Sequence, residues 1–143
     1  MRDHAILLNS ASLQELVQEA TGRQSCNVIV DLIGSAGWPD NLEVLATGGR
    51  IVVVGLVSGR RIELDLRTLM QKRGQIIGTV LRSRTLEEKV SLTASFRDRV
   101  MPLFEDGRVK PVIDTTFPLS EAAAAHRYME SNSNFGKIVL TVD

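Results

Sequence analysis

Short, continuously apolar runs alternate along this chain with segments whose apolar residues recur at helical spacing. No other feature restricts its fold as much. The apolar runs cover residues 5–8, 28–33, 50–54, 75–81, 111–117 and 137–142. Each is too short for a buried helix, and most are rich in valine and isoleucine. Residues 28–33 are hydrophobic without strict alternation, the pattern of a strand covered on both faces. The helical segments carry their own punctuation. Ser12 and Glu15 form a capping box ahead of Leu13, Leu16, Val17 and Ala20, and Gly22 ends that helix. Pro39 suits the first turn of a short helix bearing Leu42, Val44 and Leu45, which the Gly48-Gly49 pair is expected to stop. Asp65 caps a further helix to Lys72, with Leu66, Leu69 and Met70 expected to face inward. Thr85 and Glu88 form a second capping box. It opens a long helix with Leu86, Val90, Ala94, Val100 and Phe104, which Pro102 is expected to kink. A helix over 120–129 then separates the last two apolar runs. Strands and helices in this order predict an α/β chain with a mostly parallel sheet, ending in a strand–helix–strand segment.

Composition narrows the function. At 143 residues a single hydrophobic core is the default, with no need for a metal or disulfide to close it. Acidic and basic residues balance at 17 each, so no global positive field draws nucleic acid. Aromatics are 4% of the chain, too few for a single-strand stacking platform. Cys26 is the only cysteine, which excludes an internal disulfide and fits a small core residue. The apolar run at residues 5–8 is too short for a secretory signal, and the longest run, 51–57, is far too short to span a membrane. A cytoplasmic location is the resulting expectation.

In an open parallel sheet, ligands bind beyond the carboxyl ends of the strands. Those ends carry Gly34, the Gly55-Leu56-Val57 stretch, and Val80-Leu81-Arg82-Ser83. A glycine there serves either a tight turn or the close approach of a ligand to the backbone. The phosphate signature G-x-G-x-x-G is absent, and so is the G-x-S-x-G elbow of a hydrolase. Asp31, at the end of an apolar strand, fits backbone capping better than base catalysis. The two histidines, His4 and His126, and Cys26 have no metal-ligand spacing, and His126 reads as structural. Arg60, Arg61, Arg67, Lys72, Arg73, Arg82 and Arg84 form a local basic excess that reads as a solvated face.

Three stretches carry a family resemblance: LEVLATGGRIVVVG at 42–55, LRSR at 81–84 running into TLEEK, and KPVIDTTFPLSEAAAAHRYMESNSNFGKIVL at 110–140. They resemble the zeta-crystallin-like quinone oxidoreductases of the medium-chain dehydrogenase/reductase superfamily. The resemblance implies a Rossmann domain that binds NADPH, and hydride transfer to a quinone or similar electron-poor acceptor without zinc. By matching position it implies that Gly34 and the Gly55-Leu56 turn line the nicotinamide and ribose. Val80, Leu81 and Ser83 would lie near the nicotinamide, and Asn134 would reach the cofactor from the C-terminal segment. It supplies no catalytic side chain and no metal ligand, because the chemistry belongs to the cofactor.

The resemblance also implies a partial Rossmann fold with its first two strands missing, together with the glycine-rich phosphate loop. Residues 1–107 would form the truncated cofactor-binding domain. Residues 108–143 would form a segment that normally returns to a catalytic domain. Such a chain is expected to be inactive alone and to bind NADPH weakly or not at all. The strand at 5–8 is expected to close against the 28–33 strand. Exposed strand edges are expected to drive homo-oligomerisation, with no membrane and no nucleic-acid partner. The other reading is a non-catalytic interaction module that pairs with itself or with a separate N-terminal half.

Overall fold

The computed structural model describes residue 6 and residues 11–142. The chain divides into two compact units, Met1–Arg84 and Thr85–Asp143. The boundary expected at 107 falls within the second unit, at the turn after its long helix.

In the first unit, α1 (Leu13–Thr21) starts on the Ser12–Glu15 capping box and stops at left-handed Gly22, as the local sequence dictates. Three parallel strands follow, β1 (Cys26–Asp31), β2 (Leu45–Val53) and β3 (Gln75–Gly78), in spatial order β1-β2-β3. Between them lie α2 (Trp38–Val44) and α3 (Leu66–Lys72). Their register aligns Ile29 with Ile51 and Ile76, and Val30 with Val52 and Ile77. Side chains alternate across a strand, so these two rows belong to opposite faces. The isoleucine face holds the core. Ile51 is fully buried there and clusters with Trp38, Leu42 and Leu45, joined at the edge by Ile29, Val53 and Leu64.

The expected strand at residues 5–8, and its closure against β1, lie outside the described residues apart from Ile6. Elsewhere the structure corrects several expectations. β1 is not covered on both faces: Val28 and Val30 are 54% and 59% exposed, because the core of this unit lies on the opposite face. β1 also ends at Asp31 rather than at residue 33. The Asp31 carboxylate captures the amides of Ile33 and Gly34 and turns the chain. The glycine pair does not stop α2, which ends at Val44 with Leu45 already extended. Gly48-Gly49 instead sits in a bulge of β2, where the register jumps from Cys26–Leu45 to Val28–Arg50. Lys72 satisfies the end of α2, its Nζ donating to the carbonyls of Glu43 at 2.6 Å and Leu45 at 2.7 Å. Asp65 caps α3 as expected, but Leu66 and Met70 face solvent. β3 stops at Gly78, leaving residues 79–81 in a loop.

The second unit opens with α4 (Leu86–Glu105) on the Thr85–Glu88 capping box, with Pro102 inside the helix. Leu86 and Val90 on it are exposed. Parallel strands β4 (Ile113–Pro118) and β5 (Lys137–Thr141) flank α5 (Ala122–Glu130), the strand–helix–strand expected from the sequence. Ala125 is buried, and the Phe117 and Tyr128 rings meet at 6.2 Å between centroids. Among the described residues no helix is long and apolar enough to cross a membrane.

The one-sided core of the first unit makes a prediction. Ile51→Ala deletes a fully buried side chain and is expected to cost about 2–5 kcal/mol. Val30→Ala, on the exposed face, should cost less than about 0.5 kcal/mol. Urea denaturation of both variants checks this, and equal costs would show that both faces carry core.

Candidate functional site

The carboxyl ends of β1 and β2 are tied together through backbone groups. Asp31, only 4% exposed, accepts the Ile33 amide at 2.8 Å and the Gly34 amide at 3.2 Å on its carboxylate. Its main-chain carbonyl accepts the amides of Val54 at 2.8 Å and Gly55 at 3.2 Å. A buried carboxylate needs such donors, and each bond to a charged group contributes about 1.5–3 kcal/mol. This is the capping role expected of Asp31.

Ser58 joins the loops beyond. Its hydroxyl accepts the Ala36 amide at 2.9 Å and donates to the Ile33 carbonyl at 2.8 Å. Ser35 answers, its hydroxyl donating to the Ser58 carbonyl at 3.2 Å and its amide to Gly59. Gly34 sits at the centre with φ +85°, a backbone conformation that disfavours side chains. A Cβ there would strike the Gly59 carbonyl and come within 3.2 Å of the Leu56 Cα. The glycine therefore serves the packing of one loop on the other. Gly55 is likewise pressed against the Leu32 backbone, where a Cβ would meet the carbonyl oxygen at 2.6 Å.

These ties leave an open cleft of about 520 Å³ at the ends of β2 and β3, lined by Val53, Val54, Gly55, Leu56, Gly78, Thr79 and Val80. Its lining brings together Gly55, Leu56 and Val80 from the sequence reading. Gly34 lies behind it against Leu56. Leu81 and Ser83 belong to the loop leaving Val80 and are exposed. Gly78 and Thr79 were missed by sequence reasoning. The signal for Gly78 was a glycine closing an apolar run, hidden because the run was read through to residue 81. No Cβ neighbour lies within 4 Å at Gly78, so a side chain there would have free space. Arg84 braces the same loop. Its Nε donates to the Val80 carbonyl at 3.1 Å, its Nη2 to Thr79 Oγ1 at 3.4 Å, and its amide to Leu81.

In the second unit, Asn134 donates through Nδ2 to the Gly136 carbonyl at 3.1 Å. Asp114 anchors its loop by accepting the Phe135 amide at 3.0 Å and the Tyr128 hydroxyl at 2.9 Å. The hydrogen bond to Asp114, with a smaller contribution from desolvation and from the carboxylate charge, pushes the Tyr128 phenol above its ordinary value of 10.0. His126 borders a separate small cavity of about 100 Å³ with Ala125, Met129, Ile138 and Leu140. Cys26 is half-buried and unpaired. Among the described residues no group of three His, Cys, Asp or Glu side chains is placed to hold a metal ion.

Residues 2–140 match the family model described as zinc-binding dehydrogenase. Quinone oxidoreductase of Rattus norvegicus is 33% identical over 131 residues, covering 91% of this chain and 38% of its own length. The solved structure of an NAD-dependent alcohol dehydrogenase superposes with a TM-score of 0.72 at 29% identity, over 94% of this chain and 36% of its own. A 2-octenoyl-CoA carboxylase reductase solved with NADP superposes with a TM-score of 0.69 at 30% identity, over 90% of this chain and 26% of its own. The chain thus spans a little over a third of the length of the curated relatives it matches.

The Asp114 anchor can be read optically, since Tyr128 is the chain's only tyrosine. Its absorbance near 295 nm should titrate above the ordinary phenol range, and Asp114→Asn should bring the midpoint down. The sign follows from the raised value. The contribution of this bond to stability is present below the unfolded phenol's pKa and is lost as pH rises through the folded one. An unchanged midpoint in Asp114→Asn would show that the carboxylate does not hold the phenol.

Proposed function

Since the chain belongs to the zinc-binding dehydrogenase family, we propose that the cleft at the ends of β2 and β3 holds the nicotinamide end of NADPH. The hydride would pass from there to a quinone or similar electron-poor acceptor. The observation that carries this reading is the lining itself: two glycines, four apolar side chains and one hydroxyl. A flat, uncharged dihydronicotinamide ring fits such a wall, and the bare Gly78 position leaves room for its face. When bound, the cofactor supplies the hydride, and the protein orients the ring and excludes water. Gly55 and Leu56 would lie against the ring and ribose, with Gly34 fixing them from behind. Val80, Leu81 and Ser83 would flank the ring. No side chain here is assigned as acid, base or nucleophile. The transfer proposed here uses no metal ion, and among the described residues no group of three His, Cys, Asp or Glu side chains is placed to hold one. The NADP-bound reductase and the quinone oxidoreductases among the relatives support the choice of cofactor and acceptor.

The chain alone is expected to bind NADPH weakly and to show no quinone turnover, because the cleft is open on its outer side. Amide chemical shifts of Gly55, Gly78 and Val80 during an NADPH titration test the site. Gly78→Val, which puts a branched side chain into the free space, should abolish the response without lowering Tm by more than a degree or two. An unaltered titration in that variant would place the cofactor elsewhere.

The exposed face of the sheet favours a second reading, a pairing module. Val28, Val30 and Ile77 lie on one apolar face left open across β1 and β3. Apolar faces and open strand edges of this kind promote self-association. Sedimentation velocity should show a concentration-dependent dimer that Val30→Asp weakens. A monomer at millimolar concentration would remove this reading.

A further inference from the structure

The cleft offers one polar side chain, the hydroxyl of Thr79, and its hydrogen-bonding sense is set from outside. Arg84 is half-buried beside it, with Nη2 donating to Thr79 Oγ1 at 3.4 Å. A guanidinium has donors and no acceptor, so Thr79 Oγ1 must accept in this pair and its hydrogen stays free to donate. Arg84 also engages the carbonyls of Val80, through Nε at 3.1 Å, and of Leu81, through its amide at 3.2 Å. Each of those carbonyls already accepts one bond, and the Thr79 hydroxyl leaves this end of the cleft supplied with a donor.

We propose that Thr79 is a ligand-facing hydrogen-bond donor of the cleft, and that Arg84 is the positioning residue that holds the loop and sets the direction of the Thr79 hydroxyl. The ligand group they select is a carbonyl oxygen carried by a flat, otherwise apolar ring. This inference rests on the cofactor reading above, under which that oxygen belongs to the carboxamide of the nicotinamide. A quinone oxygen has the same acceptor chemistry, and separate titrations tell the two apart.

The test is an amide-detected titration of the chain with NADP+, with ADP-ribose (which lacks the ring), and with a water-soluble quinone. Thr79→Val keeps the shape and removes the donor. It should weaken NADP+ binding about fivefold to tenfold, as expected for one lost hydrogen bond. Thr79→Ser should restore it, which a purely packing role would not predict. Arg84→Met should weaken NADP+ comparably, with Arg84→Lys recovering part of the loss, while ADP-ribose binds all variants alike. Wild-type affinity in Thr79→Val overturns the donor role, and wild-type affinity in Arg84→Met overturns the positioning role. A response to the quinone but not to NADP+ overturns the carboxamide assignment. If the unaltered chain responds to no nucleotide, the cofactor reading fails and the donor role with it. Amide exchange across residues 79–83 then decides Arg84 by itself: faster exchange in Arg84→Met supports the brace, and equal exchange overturns it.

Discussion

The buried residue Asp31 is the point on which the carboxyl end of the β1–β2 pair depends. A parallel strand that stops inside a protein leaves amides and carbonyls without ladder partners, and each must be met locally. Asp31 meets four of them, two amides through its carboxylate and two through its main-chain carbonyl. Those four belong to Ile33, Gly34, Val54 and Gly55, the residues by which β1 and β2 turn into their loops. One residue thereby fixes both exits, the first through its side chain and the second through its main-chain carbonyl, and the separation between Gly34 and Leu56 follows from it. Ser58 extends the same logic one step outward, its hydroxyl accepting from one loop residue and donating to another. With the ends of two strands fixed, the third need only be aligned by its ladder, which places Gly78 beside Val53.

What could be read from the sequence was what is decided locally. The Ser12–Glu15 and Thr85–Glu88 boxes form because donor and acceptor lie three residues apart, and nothing distant competes with them. Asp65 caps α3 for the same reason. The parallel β–α alternation was legible because crossover geometry leaves few other solutions. Burial was not. Val28 and Val30 read as core because they are valines in an apolar run, yet covering a strand depends on what packs over it, and here the core lies on the other face. The glycine pair at 48–49 looked like a helix stop, since a glycine after a helix often is one. Lys72, more than twenty residues away, provides the ending instead, and the pair is spent on a bulge.

The candidate site divides in the same way. Gly55, Leu56 and Val80 could be found because strand exits can be counted along a chain. The roles of Ser58 and Arg84 could not: Ser58 belongs to no motif, Arg84 reads only as the end of LRSR and part of a basic excess, and each acts through bonds that only the folded geometry creates. Gly78 was lost through a boundary error: the β-branched and apolar character of Thr79-Val80-Leu81 carries past the last paired residue, and such a pattern has no marker for where a ladder ends.

The polar groups that shape the cleft lie almost entirely outside it. Asp31, Ser35 and Ser58 spend their hydrogen bonds on backbone groups or on one another, Arg84 on backbone and on Thr79 Oγ1, and none of the four lines the cavity. What remains inside is hydrocarbon, bare glycine backbone and the single Thr79 hydroxyl. A site so built is poorly suited to acid–base or nucleophilic chemistry, which requires a titratable or nucleophilic group within reach of the substrate. It is well suited to presenting a reactive ring that brings its own electrons, where a charge nearby would bias the ring and a mobile wall would misplace it. Rigidity supplied from behind and neutrality in front are two consequences of one arrangement. They fit the proposed reading, in which few catalytic side chains are needed because the bound ring brings the reactive electrons.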